Sequence, residues 1–249
     1  MQMRLPGPVR VVVAFWLLPM PQVVKRAIGR RLLGWVVHPS ARIGLSLVDC
    51  DRLELGPGSA IGHLNVIRGM AGVRLGANSS IGNWNWFTCA GMFRTVRGSQ
   101  SSSVGRLEIG PHSAITSRHY VDCSGGVYIG QFTTIGGVRS TILSHQIDLA
   151  LGVQSAATTT VGDYCFVSSN ACLTPGSSVP DRSIVAMGAV VVGALPHPGS
   201  LYGGVPAQLI RSGIDSGRYF SRPRGFVGLG AVESAGPPTV NSSSSDRAL

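Results

Sequence analysis

The sequence predicts an all-β chain wound into a parallel coil, and three observations predict it. From Val161 to Val191 an aliphatic residue returns every sixth position, at Val161, Val167, Leu173, Val179, Val185 and Val191. That period matches neither a helix, which repeats its face every 3.6 residues, nor a strand, which repeats every 2. Upstream, corner-like segments recur as LELG (Leu53 to Gly56), VRLG (Val73 to Gly76), LEIG (Leu107 to Gly110), VYIG (Val127 to Gly130) and TTVG (Thr159 to Gly162). The composition agrees, because 34 glycines with 44% hydrophobic and only 13% charged residues suit a glycine-cornered coil better than a helical bundle. If each hexad is one short strand plus a corner, three hexads close a triangular turn whose aliphatic residues stack inside. Glycine after the aliphatic residue, as at Gly162, suits a corner that needs positive φ or leaves no room for a Cβ.

Residues 1–42 precede the repeat and read as a helical segment. The apolar run Val11 to Met20 is broken by Pro19 and Pro21, and it is too short for the roughly 20 residues that span a bilayer. A basic helix from Val23 to Leu33 follows, with Lys25, Arg26, Arg30 and Arg31. The net charge of +10 is concentrated here, since seven Lys and Arg residues precede the first acidic residue, Asp49. An anionic surface is the implied partner. Nucleic acid is disfavoured by the absence of any binding motif among aliphatic residues, Trp16 and Trp35, so a peripheral membrane role for residues 1–35 is the better reading. The alternative is that the same apolar face packs on the coil, and the two readings are compatible.

The coil itself occupies residues 43–211, beginning at Ile43. The aliphatic positions Leu55, Leu75, Ile109, Ile129 and Val161 are 20, 34, 20 and 32 residues apart, where a bare turn of three hexads needs 18. The larger steps imply loops near 93–106 and 142–160, where binding and chemistry usually sit on a rigid solenoid. Residues 212–249 read as a flexible tail, since the terminal stretch is rich in Ser, Pro and Gly and has little to bury. Five scattered cysteines with no ligand spacing read as reduced, buried hydrophobes, which suggests a cytoplasmic chain.

The hexads from Val161, followed by YGGVPAQLIR (Tyr202 to Arg211), resemble the closing coils and G-x-P-A segment of the hexapeptide-repeat acyltransferases, among them bacterial sugar and polysaccharide O-acetyltransferases. The resemblance implies a left-handed parallel β-helix, an exception to the right-handed crossover rule. It also implies a homotrimer, acetyl-CoA as donor, a sugar or glycan acceptor and a histidine general base. No metal is expected. Gly188 and Ala189 match a stretch that approaches the cofactor, and Gly204, Pro206 and Ala207 match the G-x-P-A segment. Arg211 is a cation suited to CoA phosphates.

Histidine suits this chemistry on physical grounds, because an alcohol attacking a thioester must lose a proton and an imidazole takes it near neutral pH. His145, in the second loop, leads the six histidines, with Asp148 either orienting its ring or capping a turn. His119, one coil earlier, either lines the same cleft, acts as the base, or satisfies backbone groups at a corner; Asp122 is its expected partner. Trp84 and Trp86 either stack on a sugar or cover the N-terminal helix. Two other classes remain open at this point. A zinc carbonic-anhydrase-type enzyme would use His119 and His145 but lacks an obvious third ligand, and a non-catalytic β-solenoid scaffold would have no use for the loops.

Overall fold

The computed structural model describes residues 6–95, 102–225 and 227. Their strands form three parallel sheets, the faces of a left-handed triangular coil. The first sheet runs from Val36–Val37 to Ser178–Val179, the second from Arg42–Ile43 to Leu201–Gly203, and the third from Leu47–Cys50 to Val190–Val191. In the first sheet Leu55, Leu75, Ile109, Ile129 and Val161 pair in one row, so the steps of 20, 34, 20 and 32 are the coil-to-coil register. Ile43, Ile61, Ile81, Ile115, Ile135, Val167 and Val185 make the second row. Val48, Ile67, Phe87, Val121, Ile142, Leu173 and Val191 make the third. All of these are buried, and each contributes about 1.5–3 kcal/mol through the apolar surface it removes from water.

The corners explain the glycines. A Cβ on Gly76 would lie 2.5 Å from the nitrogen of Pro111, one on Gly110 would lie 2.6 Å from the nitrogen of Gln131, and one on Gly162 would meet Asp181. Space is therefore the reason for glycine there. The positive φ falls two residues later and is carried by Asn78, His112, Phe132 and Tyr164.

The coil starts at Val36, ahead of the expected Ile43, since Val36–Val37 pairs in parallel with Glu54–Leu55, and the N-terminal helices α1 (Gly7–Leu17) and α2 (Gln22–Leu32) close its first edge. The Gln22 side chain donates to the Ile43 carbonyl at 2.6 Å and accepts from the Ile43 N–H at 3.0 Å, pairing the open edge of the second sheet as another strand would. Lys25 is buried, donates to the carbonyls of Ile43 and Gly44, and has its pKa lowered by desolvation. Trp35 is also buried, its ring lying against Gly29. Lys25 and Trp35 are thus structural.

At the other end Gln208–Arg211 folds back antiparallel onto Leu201–Gly203. The expected flexible tail needs correction over residues 212–225, which run back along the coil. Tyr219 Oη donates to the Cys165 carbonyl at 3.2 Å, and the Arg222 guanidinium stacks 3.9 Å above the Tyr219 ring and donates to the Phe132 carbonyl. Two aromatic residues and an arginine in this segment give it something to bury, which the Ser-rich terminus lacks. The rest of that expected tail, 226 and 228–249, lies outside the described residues.

Both long interruptions leave the same corner, between the third and first sheets. After strand Trp86–Thr88 the chain forms α3 (Gly91–Thr95); residues 96–101 of the loop expected near 93–106 lie outside the described residues. After Thr141–Ile142 it forms a hairpin of His145–Asp148 with Val153–Ala156.

Candidate active site

Strand Tyr120–Asp122 of the third sheet alternates its side chains, with Val121 inside and Tyr120 and Asp122 outside. Asp122 is nevertheless only 1% exposed, because Ser124 and the base of the hairpin close over it. Its carboxylate accepts from Ser124 Oγ at 2.6 Å, from the Ser144 N–H at 3.1 Å and from His145 Nδ1 at 2.7 Å. A carboxylate only accepts, so this contact fixes the proton on Nδ1 and leaves the Nε2 lone pair open. The His145 ring is about one-third exposed, and the Phe93 ring of α3 lies 5.6 Å from it. An imidazole held in one tautomer, partly exposed and with no hydrogen-bond partner at its other nitrogen among the described residues, is arranged to take a proton from an approaching group.

Asp148 does something else. Its Oδ1 accepts from the N–H groups of Ala150 and Leu151 at 3.0 Å, capping the hairpin turn. The expected pairing of Asp122 with His119 also needs correction. His119 is 2% exposed and belongs to an internal ladder of Ser46, Asn65, Asn85, His119 and Ser140 at equivalent corners. Asn85 Nδ2 donates to Asn65 Oδ1 at 3.1 Å, the His119 N–H to Asn85 Oδ1 at 2.9 Å, and the Ser140 N–H to His119 Nδ1 at 3.1 Å. Nε2 then carries the proton and meets Thr116 Oγ1 at 3.0 Å. Burial pulls the His119 pKa down to about 4. Both ring nitrogens are occupied, and the ring is neutral near pH 7.

Strand parity was the signal that separates them. His119 and Val121 share the inward side while Tyr120 and Asp122 share the outward one, so His119 and Asp122 cannot face each other. The same parity separates His119 from His145, the two ligands a zinc site would draw on. Sequence reasoning missed Ser124 and Phe93, which have no motif, and gave Ser144 beside His145 no contact of its own; all three gain their roles from the stacking of the corner.

The expected donor-side residues come together at the other end of the coil. The Val190 N–H donates to the Gly204 carbonyl at 3.0 Å and the Ala207 N–H to the Val190 carbonyl at 2.7 Å, seating the Gly204–Pro206–Ala207 turn beside Gly188 and buried Ala189. Gly188 has φ +71, and its corner position is taken by Leu64, Trp84, Arg118, Arg139 and Asn170 in other coils. A Cβ there would meet nothing within 4 Å, so the surface beside the turn is open backbone. Arg211 is exposed in the last strand.

On the outer side of the third sheet Trp86 and Tyr120 are register partners on neighbouring strands, 53% and 40% exposed. Tyr120 Oη and Thr88 Oγ1 are 3.1 Å apart. The two rings form a shelf on the same sheet face as Asp122, two residues along the strand from it. Trp84 is exposed as well, at a corner.

No family model and no curated protein sequence matches the chain. Among solved structures, a variant of AntD, an N-acyltransferase from Bacillus cereus in complex with dTDP and coenzyme A, is similar with a TM-score of 0.51, at 12% identity over 78% of this chain and 90% of that one. A second variant of that enzyme gives a TM-score of 0.50 at 14% identity over 78% and 89%. The polySia-specific acetyltransferase NeuO gives 0.48 at 18% identity over 72% and 82%. The AntD likeness shows a shared fold.

Proposed function

We propose that the chain is an acetyl-CoA-dependent O-acyltransferase that acts on a hydroxyl of a sugar or glycan precursor, with His145 as general base and Asp122 positioning it. The observation that carries this reading is the Asp122–His145 contact at the loop-bearing corner, with the imidazole about one-third exposed. Transfer is direct. As the acceptor oxygen attacks the thioester carbonyl, its proton passes to Nε2, and Asp122 stabilises the imidazolium. Collapse of the tetrahedral intermediate breaks the C–S bond, and the CoA thiolate takes the proton back from Nε2. Backbone N–H groups at the coil corners are the available donors for the oxyanion.

The donor is read onto the open backbone at Gly188 and Ala189 beside the Gly204–Pro206–Ala207 turn, with Arg211 for a CoA phosphate. Coenzyme A in the AntD complexes supports this donor class. The Trp86–Tyr120 shelf supports a sugar acceptor, since an exposed aromatic face stacks on the C–H face of a pyranose. Assembly as a homotrimer belongs to the same reading. Ile147, Leu149, Leu151 and Val153 leave the hairpin arm exposed and apolar beside His145, as an arm that reaches a neighbouring copy would be. The acceptor is placed at a cytoplasmic membrane face, with the chain bound peripherally.

The test is a panel of neutral and acidic oligosaccharides incubated with acetyl-CoA, read by thiol release and product mass. Wild-type turnover with an acetylated glycan supports the reading, and turnover retained by His145→Ala removes the base assignment. Failure to bind any acyl-CoA in calorimetry favours the scaffold.

A further inference from the structure

The two faces of α1 differ in a way the coil does not explain. Its inner face buries Ala14 and Leu17, and its single charged side chain, Arg10, turns inward to Asp49 and Asp51. Its outer face shows Val9, Val12, Phe15 and Trp16, with Phe15 and Trp16 64% and 68% exposed. These residues recur at helical spacing, so they form one uncharged stripe facing water. Such a stripe on a soluble surface marks a place that something covers.

The neighbouring surface is basic. Arg30 and Arg31 project from α2, are exposed, and make no ion pair among the described residues. With Arg26 and Arg52 they line a groove of about 830 Å³ between α2 and the first coil, floored by Trp35 and Val36. An apolar partner protein has no need of the arginines, and a soluble polyanion has no need of Phe15 and Trp16. Charge complementarity and an apolar stripe together fit one occupant, in which phosphates and hydrocarbon lie side by side.

We infer that this platform docks on an anionic lipid bilayer, with Val12, Phe15 and Trp16 entering the acyl boundary and Arg30 and Arg31 holding headgroup phosphates. The inference rests on the peripheral-membrane part of the proposed function and is independent of acyl transfer. It also assigns the cations differently from their spacing in sequence, because Lys25 is bound to the coil and Arg26 donates to the Pro39 carbonyl. The platform stands on the corner that carries the candidate base. Asp51 pairs with both Arg10 of α1 and Arg94 of α3, and α3 brings Phe93 against His145. His145 leaves the coil four steps above Val48, about 19 Å along the prism, which suits an acceptor that is itself held at the bilayer.

The experiment is flotation of the full chain with phosphatidylcholine–phosphatidylglycerol vesicles against phosphatidylcholine alone, with a vesicle-induced shift in tryptophan emission that Trp16→Ser removes as a second readout. The wild type is expected to float with the anionic vesicles only and to release at high salt. Phe15→Ser with Trp16→Ser, and separately Arg30→Glu with Arg31→Glu, are expected to weaken binding about tenfold or more while keeping the far-UV spectrum and acetyl-CoA turnover on a soluble acceptor. Absence of flotation, or anionic-vesicle binding unchanged in the arginine variant, overturns the inference. So does a wild type that ignores vesicles and loses its oligomeric state in the Phe15/Trp16 variant, which would make the stripe a contact between copies. Flotation needs no acyl donor, so an inactive protein that floats separates this inference from the catalytic one.

Discussion

Asp122 Oδ2 lies 2.7 Å from His145 Nδ1, across 23 residues of sequence and between neighbouring coils of the prism. The contact makes Asp122→Asn the informative substitution. An asparagine keeps the size of the side chain but offers an amide that no longer fixes the proton on Nδ1. On the proposed function, kcat falls by about 10²–10⁴ in both Asp122→Asn and His145→Ala, with the acetyl-CoA KM little changed. The double variant is expected to lose no more than the worse single one, because the pair acts as a unit. Steady-state thiol release measures all three, and additive losses would mean the two residues act separately.

His119 gives a pH prediction of definite sign. Its pKa is pulled down to about 4 by burial, against about 6.5 in an unfolded chain. The unfolded state therefore binds more protons between those values, and stability present above pH 6.5 is lost as the pH falls toward 4. The loss is on the order of 3 kcal/mol. His119→Asn places in the ladder the residue already used at Asn65 and Asn85, so it is expected to fold and to flatten the urea midpoint over that window. It is also expected to retain turnover. A dead His119→Asn enzyme that is fully folded would return His119 to the chemistry.

The contrast between His119 and His145 shows what was legible in the sequence. The register was, because Leu55, Leu75, Ile109, Ile129 and Val161 each stand just before a corner glycine and pair in one row whatever the loops between them. The pairing of Asp122 was not, because it depends on a hairpin that leaves the coil at Leu143 and returns after Ala156, and nothing in the hexad period says where such an arm bends. The segment from Tyr219 to Arg222 hid for a related reason. Its packing is a cation–aromatic cluster with Phe132 and Tyr164, residues that the repeat marks only as corner positions.

Two glycines that look alike in sequence separate stability from cofactor binding. Gly110→Ala puts a Cβ 2.6 Å from backbone atoms of the next corner, which cannot move without shifting the coil, and is expected to cost about 1–3 kcal/mol with no change in the acetyl-CoA KM. Gly188→Asn meets open space and copies Asn170 at the equivalent corner of the coil below. It is expected to leave the denaturation midpoint nearly unchanged and to raise the acetyl-CoA KM severalfold by occupying the proposed groove. The same KM in Gly188→Asn and wild type would move the donor away from this turn.

The shelf makes the last prediction. Trp86 and Tyr120 are neighbours across the Trp86–Thr88 and Tyr120–Asp122 strands, and both stand on the side of the sheet from which Asp122 reaches His145. On the proposed function a sugar ring stacked there presents a hydroxyl to Nε2, so removal of a ring acts on acceptor binding and leaves the proton transfer itself intact. Trp86→Ala is expected to raise the KM for a glycan acceptor about tenfold, with kcat changed less than twofold and the acetyl-CoA KM unaffected. Trp86→Phe is expected to recover most of that loss, since an aromatic face remains. Should Trp86→Ala instead lower kcat at unchanged KM, or dissociate the oligomer, the shelf would be a structural surface and the acceptor would have to be sought along the hairpin arm from Ile147 to Val153.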